Sequence, residues 1–361
     1  AGWIRGRAAQ AGLKLEPAAL ESLLLTGEND LYRLSNELDK YGAYLAEPFG
    51  WRFIFWVNIP LGLAVIGVVR WLVMKSPRQR VPVDYRGAAL LALFLTLITV
   101  GLSGQKTAGW YRFVLPMLAA GFIVLVAFIL VERRREEPVL RLSMFKNVTF
   151  SAANFANLLE GVAMITALVQ VPFFAYATVA ATPIEGALLV LRMTVMIPVG
   201  AVMGGLVINR ISHRYTAATG FALAAVGLFL VSRWGIDVSG TTQTIHLMIV
   251  GLGFGLNSPA LGAAVVGSIE KARLATGSAI HIVAKTTGMM LGLATLGGYG
   301  IYQFETILDV GLQDILDPEL SSTLYDRSVD AILQVLNRYF LIAAILCAIA
   351  VIPSLMLRVK E

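Results

Sequence analysis

The sequence predicts an all-α fold, a polytopic bundle of membrane-spanning helices. Three observations lead there. About nine apolar stretches, each near the ~20 residues that cross ~30 Å of hydrocarbon at ~1.5 Å per residue, alternate with short gaps. The composition is 57% hydrophobic and 14% charged, against roughly a quarter charged in soluble proteins. Lys and Arg crowd into every second gap, as expected of helices threaded back and forth through a bilayer. In hydrocarbon a helix is the open-chain form that pairs all its own backbone groups, so each stretch is read as a helix. The net charge of +6 lies in the short gaps rather than on one helix face or in a basic tail, which indicates membrane orientation and no nucleic-acid surface. The single cysteine, Cys347, falls inside the last apolar stretch, which excludes an intrachain disulfide or a thiolate metal site.

Residues 1–46 are mixed in charge, helix-prone and punctuated by Gly12, Pro17 and Gly27. They predict a soluble segment of short amphipathic helices, too short to own a stable core. Apolar spans follow at 52–74, 87–104, 113–131, 151–175, 184–208, 216–234, 244–266, 276–300 and 337–357. One set of gaps holds Lys75, Arg78, Arg80 and Arg86; Arg133, Arg134, Arg135, Arg141 and Lys146; Arg210 and Arg214; Lys271 and Arg273; and Arg358 and Lys360. The positive-inside rule assigns these to the cytoplasm, with a cytoplasmic C-terminus in a plasma membrane. The intervening gaps hold Lys106 and Arg112, then none in 176–183, then Arg233, then Arg327. The segment 301–336 reads as the one sizeable extramembrane loop, and Asp309, Asp314, Asp317, Glu319, Asp326 and Asp330 make it an acidic, solvated face.

From Trp51 to Gly62 the chain reads WRFIFWVNIPLG. Trp51, Arg52, Asn58, Pro60 and Gly62 resemble the signature opening the sixth helix in the 14-span drug:proton antiporter branch of the major facilitator superfamily. The resemblance continues through Asp84-Tyr85-Arg86-Gly87, Gly109-Trp110, Glu137-Pro138-Val139-Leu140, Phe145-Lys146-Asn147, and Thr182-Pro183 with Gly186. Gly251, Gly253 and Gly255, then Ala275-Thr276-Gly277 with Gly288 and Gly292, extend it to the end of the chain. It implies that 47–74 is the last helix of a first transporter bundle, 87–131 two linker helices and 151–361 a C-terminal six-helix bundle, with the rest of the first bundle missing. The function implied is partial secondary active transport: proton-coupled export of drugs or amphipathic compounds by alternating access, once a first bundle completes the chain. Implied partners are the lipid bilayer, a small-molecule substrate, protons and a second polypeptide supplying the missing bundle. Residues 1–46 resemble part of the delta subunit of the DNA polymerase III clamp loader, through Trp3-Ile4-Arg5, Ala11-Gly12-Leu13 and Asn36-Glu37-Leu38-Asp39-Lys40. A chain beginning at Ala1 with two such resemblances reads as a fragment or a fusion. The alternatives to transport are then protein binding by the first segment or a non-transporting membrane scaffold.

Charges near mid-bilayer cost roughly 2.5–3.5 kcal/mol and mark pathways or relays. Glu160, Arg192 and Lys285 each lie about eight or nine residues into a span, at the depth where transporter sites cluster. Glu160 is the acid best placed to carry a proton; the competing reading is an ion pair with Arg192 or Lys285. Lys285 matches a basic position of the resembled family, with a substrate role and a packing role both open. Arg192 is equally divided between function and packing. His281 stands at i, i+4 from Lys285 and can share its cavity, though with three histidines in the chain it reads as a packing residue and not a metal ligand. Asn257, before Ser258-Pro259, supplies a polar contact or, preferably, fills the backbone position that the proline opens. Asn209, Arg210 and Arg214 lie in a loop resembling a degraded cytoplasmic gating motif, with Asn209 where that motif has Asp. Gly200, Gly204, Gly205, Gly288, Gly292, Gly297 and Gly298 recur at the spacing that lets helices approach closely in lipid. No nucleophile triad, paired catalytic acids, cofactor fingerprint or metal-ligand cluster is visible, and no enzyme is read.

Overall fold

The computed structural model describes residues 53–72, 84–103, 111–134, 142–179, 183–208, 210–270, 273–308 and 320–358. The clamp-loader-like segment 1–46, Trp51, Arg52 and Asn209 lie outside the described residues. Among the described residues every regular element is helical: α1 (Phe53–Leu72), α2 (Tyr85–Ser103), α3 (Tyr111–Arg133), a 3-10 turn (Leu142–Lys146), α4 (Val148–Val179), α5 (Pro183–Thr194), α6 (Met196–Ile208), α7 (His213–Val231), α8 (Gly240–Gly267), α9 (Leu274–Leu308) and α10 (Leu320–Leu355). Among the described residues seven segments are long and apolar enough to cross a membrane, those of α2, α3, α4, α5 with α6, α7, α8 and α10; the spans expected at 52–74 and 276–300 are not among them. The protein is an all-α, multi-pass membrane helical bundle. Two compact units divide it, 1–81 and 82–361. Helix α1 is the described part of the first and carries Asn58, Pro60 and Gly62.

Local sequence explains where helices start and stop. Asp84 caps α2, its Oδ1 accepting from the backbone N–H groups of Arg86 and Gly87, both at 3.1 Å. Asn147 caps α4 in the same way, accepting from Thr149 at 2.9 Å and Phe150 at 3.3 Å, and Ser239 caps α8 through Thr242 at 3.2 Å. The span expected over 184–208 is broken at Val195 into α5 and α6. Pro198 is the cause: it has no N–H for the Thr194 carbonyl, and its ring crowds that carbonyl. A second departure concerns 301–336, expected as a loop. Helix α9 runs on to Leu308 and α10 begins at Leu320. At 35 and 36 residues they span about 50 Å each at ~1.5 Å per residue, well beyond ~30 Å of hydrocarbon.

Within the second unit the core is built by α4, α7, α8 and α10, with α5 and α6 against α8, α9 against α4, and the α2–α3 pair touching α9 through α2. The buried stripe of α4 is Ala153, Ala156, Glu160, Ala163, Ala167, Val171 and Phe174, recurring every three or four residues. One position of that stripe is an acid.

Close approach is set by glycine. A Cβ on Gly161 would strike the Lys285 carbonyl, and one on Gly288 the Leu158 carbonyl, so α4 and α9 cross backbone to backbone. Gly200 and Gly255 do the same for α6 and α8, and Gly253 fits α8 against α7. Gly205, in contrast, faces open space. At the end of the bundle where α4 begins, Asn147 Nδ2 donates to the Ser268 carbonyl after α8 at 2.8 Å. There Thr149 Oγ1 also donates to the Arg358 carbonyl and accepts from its N–H, both at 3.0 Å, fastening α4 to the tail of α10.

Candidate functional site

The glycine crossing of α4 and α9 brings Glu160 and Lys285 together. Lys285 Nζ donates to Glu160 Oε1 at 2.7 Å. Glu160 has no exposed surface, whereas the Lys285 side chain keeps 27% of its own. Gly161 and Gly288 bring the facing helix close enough for Lys285 to reach the acid.

One turn away, Asn157 of α4 binds His281 of α9. The Asn157 amide donates to the His281 carbonyl at 2.6 Å and meets His281 Nδ1 at 3.2 Å. An imidazole accepting at Nδ1 carries its proton on Nε2, which fixes the tautomer of the neutral ring. Asn157 is buried at 2% exposure and escaped the sequence reading. Its position three residues before Glu160, on the same face, is the signal that could have found it.

Asn257 enters from α8. It is fully buried and its amide faces the Glu160 carboxylate. The amide acts on that carboxylate as a side-chain hydrogen-bond partner, although neither of its atoms meets a protein group at full hydrogen-bonding geometry; the polar contact, rather than the backbone position beside Pro259, is what it supplies. Oε2 of Glu160 likewise meets no group at that geometry. Cys347, buried on α10, lies within electrostatic reach of the acid. Asn157, His281, Lys285, Glu160 and Asn257 therefore form one polar column through α9, α4 and α8, inside an otherwise apolar core.

Arg192 is not part of it. Its backbone is level with the middle of α8, because Met193 packs where a Cβ on Gly251 would lie. The guanidinium turns along α8 toward that helix's start, where Nη1 donates to Thr244 Oγ1 at 2.9 Å and to the Gly240 carbonyl at 3.2 Å. Of the two cations weighed as partners for Glu160, Lys285 makes the contact. Arg210 is exposed in the turn after α6, and Arg214 lies over the Tyr215 ring, 4.9 Å from its centroid.

No protein-family model matches the chain. It is similar to a triacylglyceride transporter of Mycobacteroides abscessus, with 32% identity over 315 residues, 81% of this chain and 61% of that protein. A triacylglyceride transporter of Mycolicibacterium smegmatis is 31% identical over 348 residues, 89% of this chain and 62% of that protein. A probable triacylglyceride transporter of Mycobacterium leprae is 28% identical over 343 residues, 89% of this chain and 67% of that protein. The chain spans about three fifths of the length of the first two. These homologues and the apolar helices support a membrane transporter.

Proposed function

We propose that this chain is the larger part of a secondary active transporter for neutral, lipid-like molecules, driven by proton exchange and completed by a first bundle from another polypeptide or another stretch of chain. The observation that carries the reading is the Glu160–Lys285 pair. It cancels the one acid in the polar column, leaving no net negative charge there to hold a cationic drug. A neutral lipid needs no such counter-charge, in keeping with the names of the relatives. Export of cationic compounds, suggested by the antiporter resemblance, is the weaker expectation for the same reason.

In this reading 47–74 closes a first bundle, 87–131 links the halves and 151–361 forms the second. Lys285 and His281 border the substrate path, and Glu160 takes up and releases the coupling proton. The Arg-rich gaps and the C-terminus face the cytoplasm of a plasma membrane, with Arg210 and Arg214 beside lipid headgroups at that face. Alternating access would rock this half as a block, which suits the ties among α4, α8 and α10.

The test is reconstitution in proteoliposomes with a polypeptide supplying the first bundle, under an imposed pH gradient. A fluorescent triacylglyceride should move and a cationic dye should not, and Glu160→Gln should uncouple movement from the gradient. Dye export in preference to lipid, or lipid movement unaffected by Glu160→Gln, would defeat the proposal.

A further inference from the structure

Trp234, in the turn between α7 and α8, is buried at 3% exposure and ties three helices together. Its indole Nε1 donates to His246 Nδ1 on α8 at 3.1 Å. Its ring packs edge-on to Phe174 of α4, with centroids 5.0 Å apart. Its carbonyl accepts from Asn337 Nδ2 of α10 at 3.1 Å. Phe174 lies toward the other end of α4 from Thr149, so these ties close the end of the block opposite the Thr149–Arg358 fastening. The indole N–H can only donate, so the imidazole nitrogen facing it is the one without a proton. The bond therefore requires the neutral ring. A proton on Nδ1 would set N–H against N–H and leave the buried indole N–H unpaired, which is costly.

We infer that the Trp234–His246 bond is a proton-operated latch: closed while His246 is neutral, it opens when the ring is protonated, and acid thereby loosens the hold of the α7–α8 turn on α4, α8 and α10. This goes beyond the transport reading and stands without it. Unlike Glu160, His246 is partly exposed. It sits within two turns of the start of α8, beside a turn in which Arg233, Gly235, Ile236, Asp237 and Ser239 are exposed. Charged groups on the surrounding elements are few. The Arg192 guanidinium of α5 is held at Thr244 and Gly240, and Glu185 stands in the first turn of α5. Arg233 lies over the Phe229 ring, 5.1 Å from its centroid, Asp237 is in the exposed turn, and Arg338 follows Asn337 on α10. None of them acts electrostatically on the imidazole. The ring itself is then what titrates. The latch is intact above the ordinary imidazole range, near pH ~6.5, and is lost as pH falls through the titration of the ring.

The experiment uses the full chain in lipid nanodiscs, with tryptophan and histidine labelled with nitrogen-15. Among the six tryptophans, the Trp234 indole signal is assigned by its loss in Trp234→Phe. Well above the imidazole range, at about pH 8, the Trp234 N–H should be protected from solvent exchange and His246 should be the neutral ring protonated at Nε2. Well below it, at about pH 5, protection relative to a free indole at the same pH should fall about tenfold, the effect of losing one ordinary hydrogen bond, with one midpoint for the indole and histidine signals. Backbone amides of the 232–239 turn should lose protection at that midpoint, while those around Asn147, at the other end of the bundle, should not. His246→Gln offers the indole an oxygen that does not titrate, and should remove the pH dependence. His246→Phe should leave the indole N–H unprotected throughout, and His246→Leu serves as the second apolar variant if Phe does not fold. Indole protection indifferent to pH, a pH dependence that survives in His246→Gln, wild-type protection in the apolar variants, or a loosening that reaches the Asn147 end equally would each overturn the inference.

Discussion

Replacing Lys285 by Met should destabilise the protein far more than replacing Glu160 by Gln, although the two share one contact of 2.7 Å. The asymmetry comes from burial. Without Lys285, a carboxylate with no exposed surface loses its counter-charge, and breaking a buried pair from one side costs about 3–5 kcal/mol. Without the Glu160 charge, Lys285 retains 27% of its surface and a flexible stem that can carry the ammonium outward, while Gln still offers it an oxygen. That loss should be about 1–2 kcal/mol. At roughly 2 °C per kcal/mol for a chain of this size, Lys285→Met should lower the melting temperature by about 6–10 °C and Glu160→Gln by about 2–4 °C. The double variant Glu160→Gln/Lys285→Met should melt above Lys285→Met alone, because no charge is then left buried. Unfolding is followed by intrinsic fluorescence in one detergent at fixed concentration. Equal losses for the two single variants, or a double variant that melts at the sum of both losses, would show that the pair is not coupled in the folded protein.

Gly288→Val should cost about 1–3 kcal/mol by driving a side chain into the Leu158 carbonyl, whereas Gly205→Val, facing open space, should stay within about 0.5 kcal/mol in the same melt. Arg192→Met should lose about 1 kcal/mol with its bonds to Thr244 and Gly240 and add to Glu160→Gln without coupling, since the two share no partner; a coupling above about 0.5 kcal/mol would contradict the separation of the two sites. Asn157→Leu should cost about 1–2 kcal/mol and, in a nitrogen-15 spectrum of labelled histidine, abolish the single tautomer expected for His281.

Seven of the nine expected spans were legible because each is a run of apolar residues about as long as the bilayer is thick, a property that lives in sequence alone. The break at Val195 was not, although Pro198 is visible: a proline inside an apolar run kinks one helix and breaks another, depending on what packs against it. The extensions of α9 and α10 were hidden for the opposite reason. Polar and acidic residues such as Asp326 and Asp330 look like a loop to a hydropathy argument, yet they stand in helix where a long span follows them. At the site, Glu160 and Lys285 announced themselves as charges at mid-span. Depth is readable from sequence but azimuth is less so, and Arg192 has nearly the same depth with its head turned toward the start of α8. Asn157 and Asn257, uncharged, gave a weaker signal; what distinguishes them is burial beside the charged pair, which requires knowing which helix faces which.

The polar column shares a seam with the glycine crossing, and this pairing has a physical reason. An acid in a stripe otherwise built of Ala, Val and Phe is tolerable only if a cation can reach it, and a Lys on a facing helix at ordinary interaxial distance, about 8–10 Å, would hold it loosely. Gly161 and Gly288 remove that slack by placing backbone against backbone on either side of the contact. Widening the crossing with Gly161→Ala should therefore do more than destabilise: it should lengthen the Lys285–Glu160 contact and speed protonation of the acid in an infrared pH jump. Slower or unchanged protonation in a folded Gly161→Ala protein would show that the crossing serves packing alone.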